Sequence, residues 1–185
     1  MKALSVRQPW AWAIIYALKD IENRGWPINY RGDILIHAAK TCTKKEYQVA
    51  REFCQGMGVV IPELISLRRG QVIGIVTIVD CKFSRVASGW GIPEQYHWKL
   101  ENPREITPIP YIGRLGIFEV PDELVRSAIA KIFGLLNFFT SLRAENSVSS
   151  VCGGSRREQV KAVRKTAVLP RLCQILKNGQ DGRLL

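Results

Sequence analysis

The sequence predicts an α+β domain in which short strands form a small β-barrel with flanking helices. Two observations favour this class. The strand-like segments do not alternate regularly with helices, as they do in a parallel α/β fold. The longest of them, residues 71–83, is apolar with an internal glycine, and this pattern is typical of a bent strand that closes a small barrel. A chain of 185 residues is long enough for one well-cored domain.

The start of the chain predicts two strands and a buried helix. Residues 3–6 form the first strand, and Pro9 suits the first turn of a helix that continues through Leu18. That helix is apolar on nearly every side, which predicts that it is buried. Residues 23–31 have the glycine and proline content of a loop, and residues 33–37 follow as the second strand.

The middle of the chain predicts a second helix and the remaining strands. Residues 43–46 fit a capping box, so a helix begins there and ends near residues 56–58. A short helical turn over residues 62–67 precedes the long apolar strand. Pro108 and Pro110 restrict the strand that contains them to an edge or a bulge. The strands predicted after residue 83 are 96–98, 106–112 and 115–120.

After Val120 the character of the sequence changes. We therefore predict a domain over residues 1–121 and a basic helical extension over residues 122–185. The extension begins with an amphipathic helix over residues 121–143, and a serine- and glycine-rich flexible joint follows at residues 145–155. Aromatic residues of this C-terminal helix indicate that it docks either on the barrel or on a second subunit, as in a dimer: Phe133, Phe138 and Phe139.

The charge of the chain indicates an anionic partner. The 27 basic side chains exceed the 16 acidic ones and give a formal net charge of +11. Such an excess favours a phosphate-bearing ligand or an anionic surface, and the alternative is a merely soluble basic protein. No apolar run approaches the length of roughly 18 residues that a membrane span needs.

The cysteines predict a reducing, cytoplasmic environment. The chain has five, with no C-x-x-C pair and no secretory signal. A zinc site would have to recruit His37 or His97 from separate elements, so we predict neither a metal nor a cofactor. The cysteines are Cys42, Cys54, Cys81, Cys152 and Cys173.

Residues 17–26 are the most informative stretch for function. Lys19 and Glu22 stand at the i,i+3 spacing of a helical turn. Arg24, two residues further, shares the side of Glu22 if the backbone is extended there. Charges of both signs beside aromatic side chains predict a site that holds a polar, partly anionic ligand.

The same residues lie within ordered blocks that resemble the ASCH domain (activating signal cointegrator homology), a family of PUA-like small β-barrels. The family signature is Gly-x-Lys-x-x-Glu-x-Arg, and this chain departs from it only at Ala17, where the glycine stands. The resemblance covers about residues 3–121. Its blocks are Leu4–Ala11, Lys19-x-x-Glu22-x-Arg24, Trp26-Pro27, Tyr30–Gly32, Ile34–His37, Trp98–Arg104 and Gly113–Phe118.

The resemblance implies a cleft under the first helix, lined by the signature residues, and a partner that is RNA or DNA. Some bacterial relatives resemble hydrolases of N4-acylated cytidine, and ribonuclease activity has been attributed to others. In the amidohydrolase relatives a threonine stands where this chain has Glu22. The role of that threonine therefore does not transfer to this position, and an amidohydrolase-like activity stays an alternative, because a fold hosts more than one function.

The leading prediction is therefore an RNA- or nucleotide-binding protein with a cationic cleft. Trp26 and Tyr30 are candidates to stack on bases, with core packing as the alternative. Arg7 and Arg31 are candidates to contact phosphates, as are Arg68 and Arg69, although scattered arginines are usually only solvated. The predicted ligand-binding residues are Arg7, Lys19, Arg24, Trp26, Tyr30 and Arg31.

The alternative is an enzyme, either a metal-independent hydrolase of modified nucleosides or a ribonuclease. In that interpretation Lys19, Glu22 and Arg24 are catalytic, with Lys19 as the base and Arg24 stabilising developing negative charge. The structural alternative for these three residues is an ion-pair network that fixes the helix end to the barrel. A third interpretation of the function is a protein-interaction module built on the C-terminal helices. Ser5 has no evident histidine base close in sequence, which argues against a serine nucleophile.

Overall fold

The computed structural model describes residues 1–130, which form a mixed β-sheet with helices. The predicted α+β class is confirmed. Residues 122–130 are also helical. In chain order the elements are β1 (Lys2–Val6), α1 (Trp10–Tyr16), β2 (Ile21–Arg24), β3 (Gly32–Ala38), α2 (Lys44–Gly56), a 3-10 turn (Leu64–Ser66), β4 (Gln71–Ser84), β5 (Gln95–Pro110) and β6 (Ile117–Glu119).

The six strands lie in the order β2-β5-β4-β3-β1-β6. β1 and β3 are parallel, and the other neighbouring strands are antiparallel. Within the described part of the chain the outer strands β2 and β6 do not pair with each other, so the sheet is not closed into the predicted barrel. β2 has only 4 residues and β6 only 3, and edges this short offer little backbone for a closing ladder.

The long hairpin of β4 and β5 gives the sheet its bend. The register between these strands shifts at three places along β4, which confirms the predicted bent strand. At Gly74 an added Cβ would lie 2.7 Å from the carbonyl oxygen of Arg104 and would also clash with Ile15 of α1. Glycine therefore allows the first helix to approach the sheet closely at this point.

β5 unites two segments that the sequence predicts as separate strands. It tolerates internal prolines because its second neighbour, β2, pairs only with residues 96–99. Beyond Leu100, whose N–H donates to the carbonyl oxygen of Asp20, residues 101–110 of β5 pair with β4 on one side alone, so an N–H missing on the other side costs no ladder bond. The prediction that Pro108 and Pro110 restrict their strand to an edge or a bulge is confirmed, because this stretch pairs on one side and the register shifts between Val72 and Gly74.

The two α-helices differ in how well their limits are predicted. α2 begins with the predicted capping box, in which Glu46 N donates to Thr43 Oγ1 at 3.1 Å and Thr43 N donates to the Glu46 carboxylate at 2.9 Å. α1 is buried as predicted but ends at Tyr16 rather than Leu18. The loop predicted over residues 23–31 begins inside β2.

Apolar side chains pack on both faces of the sheet. One cluster lies between α1 and the sheet, and it includes Ile14, Ile36 and Trp98. A second cluster on the other face includes Phe118 and Val125, the latter from helical residues 122–130. The rest of the predicted C-terminal helix, its phenylalanines and the joint at 145–155 lie outside the described residues. No helix within residues 1–130 is long and apolar enough to cross a bilayer.

Candidate functional site

The short connection between α1 and β2 builds the predicted cluster. Leu18 adopts a left-handed conformation with φ of 57° directly after the helix, and Glu22 then lies in the strand. Lys19 Nζ donates to Glu22 Oε2 at 2.9 Å and also to the carbonyl oxygen of Ile21. The predicted lysine–glutamate pair therefore forms, but between the connection after α1 and strand β2, and not within a helical turn.

Arg24 joins the cluster through the alternation of an extended strand. As predicted, its side chain lies on the side of Glu22, with 3.0 Å between Arg24 Nη2 and Glu22 Oε1. The same nitrogen donates to the carbonyl oxygen of Ser5 at 2.9 Å. Ser5 belongs to β1, and three strands, β5, β4 and β3, lie between it and β2 in the sheet order. Arg24 therefore bridges the gap that the open sheet leaves.

Burial separates the three members of the cluster. The side chains of Lys19 and Glu22 are only 4% and 10% exposed, whereas that of Arg24 is 22% exposed. Arg24 Nε is buried and has no hydrogen-bond partner within residues 1–130. The cluster holds two cations and one carboxylate, so its net charge is positive, and Arg24 is the member that solvent reaches.

The two aromatic candidates differ in exposure. Trp26 is 39% exposed and packs edge-on against the buried Trp98, with 4.6 Å between ring centroids. Trp98 Nε1 donates to the carbonyl oxygen of Trp26 at 3.2 Å, so the core holds the backbone of this residue. Tyr30 is half-buried and donates its hydroxyl to the carbonyl oxygen of Asp33 at 2.8 Å. Trp26 is thus the more available of the two rings.

Arg7 and Arg31 have partners outside the cluster. Arg7 pairs with Glu46 in the first turn of α2. Arg31 donates to the carbonyl oxygen of Ile28 at 2.9 Å and lies 3.5 Å from a carboxylate oxygen of Asp80. Both side chains are exposed. The structure therefore brings Lys19, Glu22 and Arg24 together but gives these two arginines separate contacts.

A serine–histidine contact lies beside the cluster, and sequence reasoning missed it. Ser5 Oγ is 3.1 Å from Nδ1 of His37, and Nε2 of the same ring is 3.0 Å from the carbonyl oxygen of Tyr111. A carbonyl only accepts, so Nε2 carries the proton and Nδ1 accepts from the serine hydroxyl. An added Cβ at Gly113 would lie 2.6 Å from Ser5 Oγ and would clash with the His37 ring, so the contact is tightly covered.

The contact follows from the parallel pairing of β1 with β3, which places Ser5 opposite His37. No local spacing reveals it, since 32 residues separate the two in the chain. His37 is 1% exposed, which agrees with a structural role for its ring.

We expect His37 to make the domain less stable in mild acid. Burial lowers the pKa of His37, against an opposing hydrogen bond to the Tyr111 carbonyl. Because this folded-state pKa lies below the ordinary 6.5, the unfolded chain binds more protons below that pH. Stability is therefore fully present above about pH 6.5 and falls as the pH drops below it.

Urea unfolding of wild type and His37→Gln between about pH 8 and pH 5 checks this expectation. The variant should show a flatter dependence of unfolding free energy on pH than wild type. Parallel profiles for wild type and His37→Gln would contradict the assignment.

Two cavities in the described part of the chain differ in size and lining. The larger, about 460 Å³, is lined partly by carboxylates, which oppose a phosphate ligand. The smaller lies beside Lys19 and measures about 120 Å³. Pockets that enclose drug-sized molecules measure roughly 300–1,000 Å³, so a nucleoside there would lie partly outside. Within residues 1–130 no three side chains of His, Cys, Asp or Glu are grouped as metal ligands.

The fold and the cluster together define a class of protein: a single-sheet α+β domain whose first helix leads into a buried Lys–Glu–Arg cluster. The ASCH domain family model matches residues 4–110, and the chain belongs to this family. The predicted resemblance is thereby confirmed. The chain is also similar to a solved structure described as "Crystal structure of ASCH from Zymomonas mobilis", with 12% identity and a TM-score of 0.44. That alignment covers 70% of this chain and 93% of the other. None of the curated proteins compared with the chain matches it.

Proposed function

We propose that the protein binds RNA at Arg24 and Trp26, with Lys19 and Glu22 holding the arginine in place. The observation that carries this proposal is the position of Arg24, the most exposed member of the cluster, two residues before the exposed Trp26. A guanidinium recognises phosphate through several donors, and an indole ring stacks on any base. Membership of the ASCH family, whose domains are thought to bind RNA, supports this partner.

The contacts of Glu22 support a positioning role for the buried pair. One of its carboxylate oxygens accepts from Lys19 and the other from Arg24. A carboxylate held between two cations fixes the guanidinium in one orientation, which lowers the entropy lost on binding a phosphate.

The same contacts favour binding over hydrolysis. Lys19 donates to both a carboxylate and a carbonyl, and a group engaged as a donor does not present the lone pair that a general base needs. Glu22 is similarly engaged by two cations. The 120 Å³ cavity beside Lys19 does not enclose a nucleoside. A direct check is incubation with N4-acylated cytidine and single-stranded RNA, followed by mass spectrometry, and we expect both to remain intact.

We expect Trp26→Ala to weaken the binding of single-stranded RNA by roughly 5- to 150-fold, because the loss of one base–aromatic stack costs about 1–3 kcal/mol. Fluorescence anisotropy with a labelled oligonucleotide measures this change. Trp26→Phe retains a stacking ring and should keep most of the wild-type affinity. Equal affinities for wild type and Trp26→Ala would refute the stacking role.

The salt dependence of wild-type binding provides a second check on the same proposal. Each phosphate contact releases counterions, so affinity should fall steeply as salt concentration rises. RNA binding that is undetectable at low salt would count against the proposed function, as would binding that salt leaves unchanged.

A further inference from the structure

Three loops meet at the end of the sheet where β1 and β3 finish and β4 begins. The backbone N–H of Ala39 donates to the carbonyl oxygen of Val6 at 2.9 Å. The backbone N–H of Gly70 donates to the carbonyl oxygen of Ala38 at 2.7 Å. The segments after β1, after β3 and before β4 therefore lie side by side, although they are far apart in the sequence.

Gln8 fastens these loops to one another and to α1. It is only 2% exposed. Its side-chain Nε2 donates to the carbonyl oxygen of Arg68 at 2.7 Å, and its Oε1 accepts from the backbone N–H of Trp12 at 3.0 Å. Its own carbonyl oxygen accepts from Cys42 Sγ at 3.0 Å. A buried amide satisfied in this way fixes the backbone of all three loops.

Exposed basic side chains extend from each of these fixed loops, and we call this surface the basic loop end. Arg7 is paired with Glu46. For Lys40, Arg68 and Arg69, no carboxylate oxygen in residues 1–130 lies within 4.0 Å of the cationic nitrogens. The surface consists of Arg7, Lys40, Arg68 and Arg69.

Arginines from two different loops lie close to the same cysteine, Cys42. Burial and Glu46 together raise the pKa of the Cys42 thiol, while Arg69 and Arg7 act to lower it. Two arginines from separate loops are therefore close enough to act on one side chain. Arg68 also acts on the half-buried Tyr16, whose pKa burial and Glu105 raise.

The basic loop end contrasts with the buried cluster. In the cluster, the Glu22 carboxylate pairs with both cations. The cations of the loop end face solvent, and among the described residues only Arg7 is paired with a carboxylate, that of Glu46. β1 connects the two places, because the carbonyl oxygen of Ser5 holds Arg24 and Arg7 follows two residues later. A strand of RNA placed over Arg24 therefore passes close to Arg7.

We propose that the basic loop end binds the phosphodiester backbone of RNA, as a second contact surface beside Arg24 and Trp26. The proposal depends on the proposed function for the identity of the polyanion. Unpaired cations on a fixed backbone give affinity without sequence preference. In this division of roles the loop end holds the strand and Trp26 contacts a base.

The test is the double variant Arg68→Gln/Arg69→Gln against a control with the same loss of charge, Lys82→Gln/Arg85→Gln. The control residues are exposed and lie at the opposite end of β4, and Arg68 keeps its contact to Gln8 through the backbone. The probes are a single-stranded oligouridylate and linear polyphosphate of the same number of phosphates.

Two phosphate contacts contribute about 1.4 to the slope of log Kd against log salt, at about 0.7 per contact for a single strand. The loop-end variant should lose that slope and bind RNA roughly 25-fold more weakly at about 0.1 M salt. It should also bind polyphosphate more weakly, whereas the control variant should resemble wild type with both probes.

The outcomes separate this proposal from the proposed function. Equal slopes for the loop-end and control variants overturn the loop-end assignment, as does a wild type that binds neither probe. If Trp26→Ala binds RNA like wild type while the loop-end variant loses polyphosphate, the base-stacking site fails and the loop end stands. Binding to phosphatidylserine vesicles without binding to polyphosphate would assign the surface to a membrane and overturn the proposal.

Discussion

Glu22→Ala is expected to destabilise the domain by about 3–5 kcal/mol, the usual cost of leaving buried charges without their partner. The Glu22 carboxylate accepts from both Lys19 and Arg24. Lys19 is 4% exposed and, among the acceptors of residues 1–130, would keep only the carbonyl oxygen of Ile21. Urea unfolding at neutral pH measures the change, provided that the dependence of free energy on denaturant concentration is the same in both proteins.

The control for this prediction is Glu52→Ala, which removes an exposed carboxylate from α2. That change should stay within about 0.5 kcal/mol of wild type. A double variant, Lys19→Met/Glu22→Gln, removes the uncompensated cation together with the carboxylate and should be more stable than Glu22→Ala. If Glu22→Ala unfolds at the same urea concentration as Glu52→Ala, the cluster does not stabilise the fold.

Trp98→Ala should cost about 3–5 kcal/mol of unfolding free energy, as expected when a large aromatic side chain leaves a core. Trp98 is fully buried and stands opposite Glu22 in the sheet. It also packs against Trp26 and donates a hydrogen bond to its carbonyl oxygen. The variant therefore loses both core packing and the support of the exposed indole, which differential scanning calorimetry and RNA affinity report separately.

Two neighbouring variants make the Trp98 prediction specific. Trp98→Phe keeps an aromatic ring but not the donor, so its stability should lie between those of wild type and Trp98→Ala. Trp26→Ala removes a ring that is already 39% exposed and should cost less stability than Trp98→Ala. A larger loss in Trp26→Ala would show that Trp98 is not the supporting residue.

Local chemistry explains which elements the sequence predicts well. The capping box of α2 depends on Thr43 and Glu46 alone, and the long apolar strand on its own composition, so both are predictable. The end of α1 depends on Leu18 adopting a positive φ, which residues other than glycine and asparagine seldom do. No composition signal marks such a turn, and the start of β2 is therefore missed.

The contacts of the candidate site also fall into local ones, which the sequence predicts, and non-local ones, which it does not. Lys19, Glu22 and Arg24 meet because they are close in sequence, and their spacing brings them together even though the helical turn assumed for it is absent. The contact of Ser5 with His37 needs the register of two strands, which tertiary packing decides. Barrel closure is equally non-local, and the expectation fails because the outer strands are too short to pair.

The bridge from Arg24 to Ser5 has a mechanical consequence for the domain. It joins two strands through a side chain, so the hydrogen bond can break without any loss of backbone pairing in the sheet. In a closed barrel, separating the first strand from the last would break several backbone hydrogen bonds at once. The two flanks of this sheet are therefore joined by a side-chain contact that can be lost while every strand keeps its register.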